Sequence, residues 1–359
     1  LLAAVLGLLS IGYLAHADGP SKPTPSPTPK PPEIRGVGLS LHSKDPNWDY
    51  APLLRELPRH GVNQILVIFH FYQPTADSPA PARHPLKTPS DAVILGVIRR
   101  ARSLGLEVGV MPILLLEKPG VDDWRGNLSP PDKQGRTRHE TGYEKKNADW
   151  PRWFRGYGRV IEHYARLSQR GGATLFSVGS ELSSTEAQDV PWRLLVKRVR
   201  KLFAGELTYS ANWDHYQHVQ VWSDLDYIGL SGYYELSRSH TAKPKELAQA
   251  WVKVRDRLIR WRAARGLKDQ PFLFTEVGYP SIDGCASQPW NYTLKDKQLD
   301  LEEQRDCYQA FVGAWDGQPS LGGVFFYEWW GQGGSKDRSY TPRGKPAMAV
   351  LRRWFGAKH

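Results

Sequence analysis

The sequence predicts a single-domain (β/α)8 barrel, and three observations carry that prediction: eight short apolar strand segments, amphipathic segments between them, and a length suited to one large domain. Of the 359 residues, about 325 remain once a leader-like start and a Pro-rich linker are set aside, enough for one barrel. The strand segments are, in order, "IRGVGLSL", "NQILVIFHF", "LEVGVMPILLL", "ATLFSVG", "LTYSAN", "LDYIGLS", "PFLFTE" and "GGVFFY". Most are apolar at consecutive rather than alternate positions, the pattern of strands covered on both faces of a parallel sheet. Among the intervening segments, Leu247, Trp251, Val254, Leu258 and Trp261 recur at spacings of four and three, one stripe of a helix. A second helix starts at the N-cap candidate Ser90, runs through Val93, Ile94, Val97, Ile98 and Ala101, and stops at Gly105. A third covers Trp150 to Leu167. Glu117 to Asn147, rich in Gly, Pro and charge, reads as a large loop at the end of the barrel where the strands finish.

The first residues form an apolar run ending near Ala15, His16 and Ala17, a small-x-small pattern that reads as a signal peptide or membrane anchor over residues 1–17. "GPSKPTPSPTPKPPE" follows as an extended spacer, placing a Pro-rich linker at 18–33 and the folded domain at 34–359. An exported chain, whether periplasmic, extracellular or tethered, lies in an oxidising compartment, where Cys285 and Cys307 could pair. Contact with a membrane is expected only through an uncleaved N-terminal anchor.

The formal net charge is +11, which suits an anionic polymer or surface. Nucleic acid is not the expected partner, because the chain has no long Lys/Arg block, zinc-finger spacing or ribonucleoprotein motif. No GxGxxG or GxxxxGK[ST] element supports nucleotide binding, and no cofactor is called for. His215 and His218 are three residues apart but lack a third ligand, so no metal site is expected. "GLSGYY" lacks the frame of a serine nucleophile elbow.

Two strands end in glutamate, the fourth at Glu181 and the seventh at Glu276. A buried-type strand has no structural use for an unpaired terminal charge, whose desolvation costs several kcal/mol. In a barrel both would converge on one pocket, and paired carboxylates are what glycosidic bond cleavage needs: one to protonate the leaving oxygen, one to attack or activate water. Taken singly, either glutamate could instead cap a helix or meet an arginine.

Together with these glutamates, "WFRGYGRVIEHYARLSQRGGATLFSVGSEL", "LTYSANWD", "DYIGLSGYY", "FTEVGYPS" and "GGVFFYEWW" resemble the successive strand motifs of glycoside hydrolase family 113, whose characterised members are β-1,4-mannanases. The resemblance covers most of Ile34 to Phe355. It implies a retaining glycosidase acting on an oligosaccharide or polysaccharide of mannan type, with Glu181 as general acid/base, Glu276 as nucleophile and Tyr233 donating a hydrogen bond to the nucleophile. A dry site around Glu181 would keep it protonated, and Tyr233 would keep Glu276 ionised. The wider clan commonly has Asn before the acid/base, contacting the sugar 2-hydroxyl; Ser180 stands there instead, which leaves mannose against glucose or an amino sugar open. The positive charge and Pro-rich spacer would suit an amino-sugar or anionic wall glycan. A non-catalytic glycan-binding barrel is the reading of a different class.

Trp329 and Trp330 follow the eighth strand, where this fold tends to place an aromatic floor under the sugar, and Trp330 is favoured for the inside position. Asn212 and Trp213 after strand five, His70 at the end of strand two, and Trp124 and Arg125 in the third loop, matching a family-like W-R-G element, are further substrate-binding candidates. Glu328 reads as a salt-bridged or rim group rather than a third catalytic acid. The sequence leaves the oligomeric state open.

Overall fold

The computed structural model describes residues 34–45, 47–137, 148–239, 242–292 and 297–356. The leader and linker expected at 1–33 lie outside the described residues, as does part of the third loop.

Eight parallel strands close into a barrel in chain order, β1 pairing with both β2 and β8. They are β1 Ile34–Ser40, β2 Gln64–Gln73, β3 Glu107–Leu116, β4 Leu175–Ser180, β5 Glu206–Asn212, β6 Ile228–Ser231, β7 Phe272–Val277 and β8 Leu321–Phe326. Among the described residues seven α-helices accompany them: α1 Ala51–Arg55, α2 Asp91–Ser103, α3 Trp150–Gly171, α4 Asp189–Arg200, α5 Pro244–Ala264, α6 Leu301–Trp315 and α7 Pro346–Trp354. The predicted barrel is therefore the observed fold.

Local signals explain most element ends. Ser90 Oγ accepts from Val93 N at 3.3 Å and so caps α2. Asp149 caps α3 through Arg152 N at 3.1 Å, and Gly172, at φ 83°, turns the chain out of that helix. The sixth strand is shorter than its apolar segment suggests. Trp222–Asp224 form a 3-10 turn, and Asp226 leaves it by bonding β5 through Leu207 O at 2.9 Å.

Alternation along the strands sorts the core into two layers. Leu66, Ile68, Met111, Ile113, Leu175, Leu273 and Phe325 pack together inside the barrel. The opposite strand faces, including Val67, Phe69, Phe71 and Phe274, pack with helix residues such as Ile161, Tyr164, Trp251 and Phe311. Gly36 shows how tightly the inner layer closes: a Cβ there would stand 2.2 Å from the Phe325 ring. Among the described residues, no helix is long and apolar enough to cross a membrane.

The expected disulfide is not formed. Cys285 and Cys307 are buried free thiols that hydrogen bond to each other. Burial pushes both thiols up.

Candidate active site

Glu181 follows the last residue of β4 and adopts a left-handed backbone at φ 53°, a conformation that costs a non-glycine residue on the order of 1–3 kcal/mol. Three hydrogen bonds hold this turn. Glu181 N donates to Ser210 O at 2.8 Å, Leu182 N donates to Tyr209 Oη at 2.8 Å, and that hydroxyl donates to Glu186 Oε1 at 2.8 Å. The turn leaves Glu181 only 7% exposed. Glu186 is itself buried, and burial pushes its carboxyl up to about 7 against the pull of the Tyr209 bond.

Glu276 lies within β7 and is 5% exposed. A register shift between β6 and β7 sets Ser231 opposite Glu276, and Gly232 N donates to Glu276 O at 2.6 Å. That brings the following residue, Tyr233, into position to donate its hydroxyl to Glu276 Oε2 at 2.7 Å. Glu276 Oε1 is buried without a hydrogen-bond partner. The edges of Tyr327 and Tyr340 flank the Tyr233 ring, with centroids at 6.4 and 6.3 Å.

The two carboxylates share one electrostatic environment. Arg125, from the 3-10 turn Arg125–Asn127 in the loop after β3, donates to Glu181 Oε2, and Ser231 Oγ donates to Glu181 Oε1. Burial, reinforced by the Glu181 charge, pushes the Glu276 carboxyl up, against the Tyr233 bond and Arg125. Both carboxylates are buried, and they differ in their partners. Glu181 is held by two donors, one of them charged, while Glu276 has one donor and one unpaired oxygen. The reason is Arg125, which reaches across from a loop far away in sequence to neutralise Glu181.

Around the pair, His70 and His42 face each other with ring centroids 5.8 Å apart. Burial, with His42 and Arg125 adding to it, lowers His70 to about 3, so its ring is neutral. His42 Nε2 lies 2.9 Å from Glu328 Oε2, so Glu328 has the paired role expected of it. Trp330 is partly exposed and packs against His42, Trp48 and Tyr50. Trp329 is a correction to the substrate-binding candidates. It is 1% exposed, donates to Leu53 O at 3.1 Å, and fills the space between barrel and α1. Two consecutive residues leaving a strand point to opposite sides, so only one of this pair can face the pocket.

The remaining candidates take different positions. Ser180 Oγ is buried and unpaired beside Glu181. Asn212 Oδ1 accepts from Trp213 N at 2.9 Å, and Trp213 stacks on the partly exposed Trp290 at 5.7 Å. Trp124 is partly exposed and lies 5.9 Å from the Arg125 guanidinium. His215 pairs with Asp214 at the surface. Asp283, Asp300 and Glu303 come within 4.8 Å of one another. Local folding engages this group: Glu303 accepts from Gly284 N and Ala286 N, and Asp300 caps α6.

Ser231, Tyr209, Glu186 and His42 were not read from the sequence as site residues. Ser231 had a legible signal, because it ends its strand as Glu181 follows its own. The others matter through contacts that span the fold.

The model of Glycoside Hydrolase Family 113 matches residues 49–345. Among solved structures, a GH113 β-1,4-mannanase described as a complex is 26% identical, covers 91% of this chain and 99% of its own, and has a TM-score of 0.77. The β-mannanase AaManA from Alicyclobacillus acidocaldarius in complex with ManMIm is 28% identical over 90% of this chain and 97% of its own, with a TM-score of 0.76. A β-glucuronidase from Faecalibacterium prausnitzii, 14% identical with a TM-score of 0.59 over 91% of this chain and 49% of its own, shares the fold alone. No curated protein matches in sequence.

Proposed function

The chain belongs to glycoside hydrolase family 113, and from that premise we propose that it cleaves β-1,4-linked, mannan-type polysaccharide with retention of configuration, Glu181 acting as acid/base and Glu276 as nucleophile. The observation that carries this reading is the pair of buried carboxylates leaving β4 and β7, one gripped by Arg125 and Ser231, the other by Tyr233. Similar solved proteins are described as β-mannanases, which supports the sugar class.

In the free site Arg125 faces both carboxylates and offsets the cost of burying their charge. A glycan whose bridging oxygen takes the place of the Arg125 contact meets Glu181 as proton donor and Glu276 as the ionised nucleophile. Tyr233 then steadies the Glu276 charge. Glu276 attacks the anomeric carbon as Glu181 protonates the departing oxygen. Glu181, now ionised, takes a proton from water, which attacks the glycosyl-enzyme and frees Glu276. Trp330 supplies an apolar face for the sugar and Trp213 with Trp290 a second one. A polymeric substrate suits an exported enzyme, as the leader-like start proposes.

The net charge of +11 favours a second reading, an anionic wall glycan. Product profiling separates the two. Release of manno-oligosaccharides from β-mannan, lost in Glu181→Ala and Glu276→Ala, supports the first reading. Inactivity on mannan with cleavage of wall glycan overturns it, and binding without cleavage of any glycan identifies a non-catalytic barrel.

A further inference from the structure

Ser231 occupies a place that the two-carboxylate scheme does not use. It is the last residue of β6, fully buried, and its Oγ lies within hydrogen-bond reach of two acceptors: Glu181 Oε1 and, at 3.2 Å, Ala211 O. A hydroxyl has one proton and can serve one acceptor fully. A carboxylate is the stronger acceptor, so the hydroxyl turns to Glu181 when that group is ionised. Arg125 holds the other oxygen, Oε2, and arrives on a loop, whereas Ser231 is built into the barrel wall. Of the two grips on Glu181, the Ser231 one is therefore the fixed grip.

Resting on the assignment of Glu181 as acid/base, we propose that Ser231 is the positioning residue for that acid. It holds Oε1 as the non-transferring oxygen and leaves Oε2 to exchange the proton with the glycosidic oxygen and then with water. No bond to Ser231 forms or breaks. In both steps the proton moves at Oε2, and the Ser231 proton stays on its own oxygen. Donation to Oε1 fixes the rotation of the Glu181 carboxyl, so Ser231 keeps Oε2 aimed at the leaving oxygen. The charged or titratable groups facing Glu181 are Arg125 from the turn after β3, Glu276 from β7 and Glu186 from the turn after β4. Arg125 alone among them supplies a cation, and a bound glycan would displace it, which leaves Ser231 as the donor that persists through turnover.

The test is Ser231→Ala, which removes one oxygen atom, compared with wild type on β-mannan and on a 2,4-dinitrophenyl β-mannoside whose leaving group needs no proton. The loss on mannan should fall in kcat, with KM changed less than about 2-fold, because the lost contact orients the acid and does not bind the sugar. Turnover of mannan should fall about 10-fold or more while kcat/KM on the activated glycoside changes less than about 3-fold. Equal losses on both substrates, or a loss on mannan that falls in KM alone, overturns the proposal. Thermal unfolding of the variant identifies any loss that comes from a damaged fold. Glu181→Ala separates this outcome from failure of the underlying assignment: if it keeps wild-type turnover of mannan, Glu181 is not the acid, whatever Ser231 does.

Discussion

Replacing Tyr233 by Phe removes one hydroxyl and little else, because the ring keeps its edge contacts with Tyr327 and Tyr340. That hydroxyl is the sole hydrogen-bond donor to the Glu276 carboxylate among the described residues, at 2.7 Å from Oε2, and the second carboxylate oxygen has no partner. A hydrogen bond to a charged group is worth about 1.5–3 kcal/mol, which corresponds to a loss of about 10- to 150-fold in kcat/KM if the bond serves the ionised nucleophile. The sign of the pH effect follows from the same bond. It lowers a carboxyl that burial has already pushed up, so its removal pushes Glu276 up further. Activity requires this group ionised, and the acidic limb of kcat/KM should therefore move to higher pH in Tyr233→Phe. Initial rates on manno-oligosaccharides between pH 4 and 9 measure both effects. A loss below about 3-fold with an unmoved acidic limb would refute the view that Tyr233 tunes the nucleophile.

Three further outcomes are expected. Glu186 is pushed up to about 7 from its ordinary 4.5, so the stability it contributes is complete below the unfolded value and is lost as pH rises through the folded one; Glu186→Gln should leave Tm unchanged at pH 4 and raise it at pH 8. Glu276→Gln should abolish turnover yet raise Tm increasingly with pH, for the same reason of sign, and a lowered Tm at pH 8 would count against the raised carboxyl. Trp329→Ala should cost about 3–5 kcal/mol of stability in denaturant titrations as a buried-Trp truncation, whereas Trp330→Ala should leave stability nearly intact and raise KM about 2- to 12-fold, the worth of one aromatic contact.

Much of this architecture was legible because its signals are local. Each strand of the barrel is a contiguous apolar run, Ser90 and Gly105 mark the two ends of α2, and the glutamates stand where their strands finish. What was not legible depends on contacts across the fold. Arg125 and Glu181 are 56 residues apart and meet because the loop after β3 folds over the barrel mouth. The dry setting expected at Glu181 is present, as it is at Glu276, and what the sequence did not show is that Glu181 also meets a cation there. Trp329 and Trp330 are chemically identical neighbours, and only the direction in which the chain leaves β8 assigns one to the core and the other to the pocket. The cysteines show the same limit: their proximity is real, but the redox state is not encoded in their spacing.

The central claim is that Glu276 is the nucleophile of a retaining mannan-type glycosidase, and mechanism-based labelling tests it most directly. Incubation with a 2-deoxy-2-fluoro-β-mannosyl fluoride, followed by proteolysis and mass spectrometry, should find one sugar bound through the Glu276 side chain, with activity lost in proportion to labelling. A label on any other residue, or no label from an enzyme that still turns over mannan, would contradict the account.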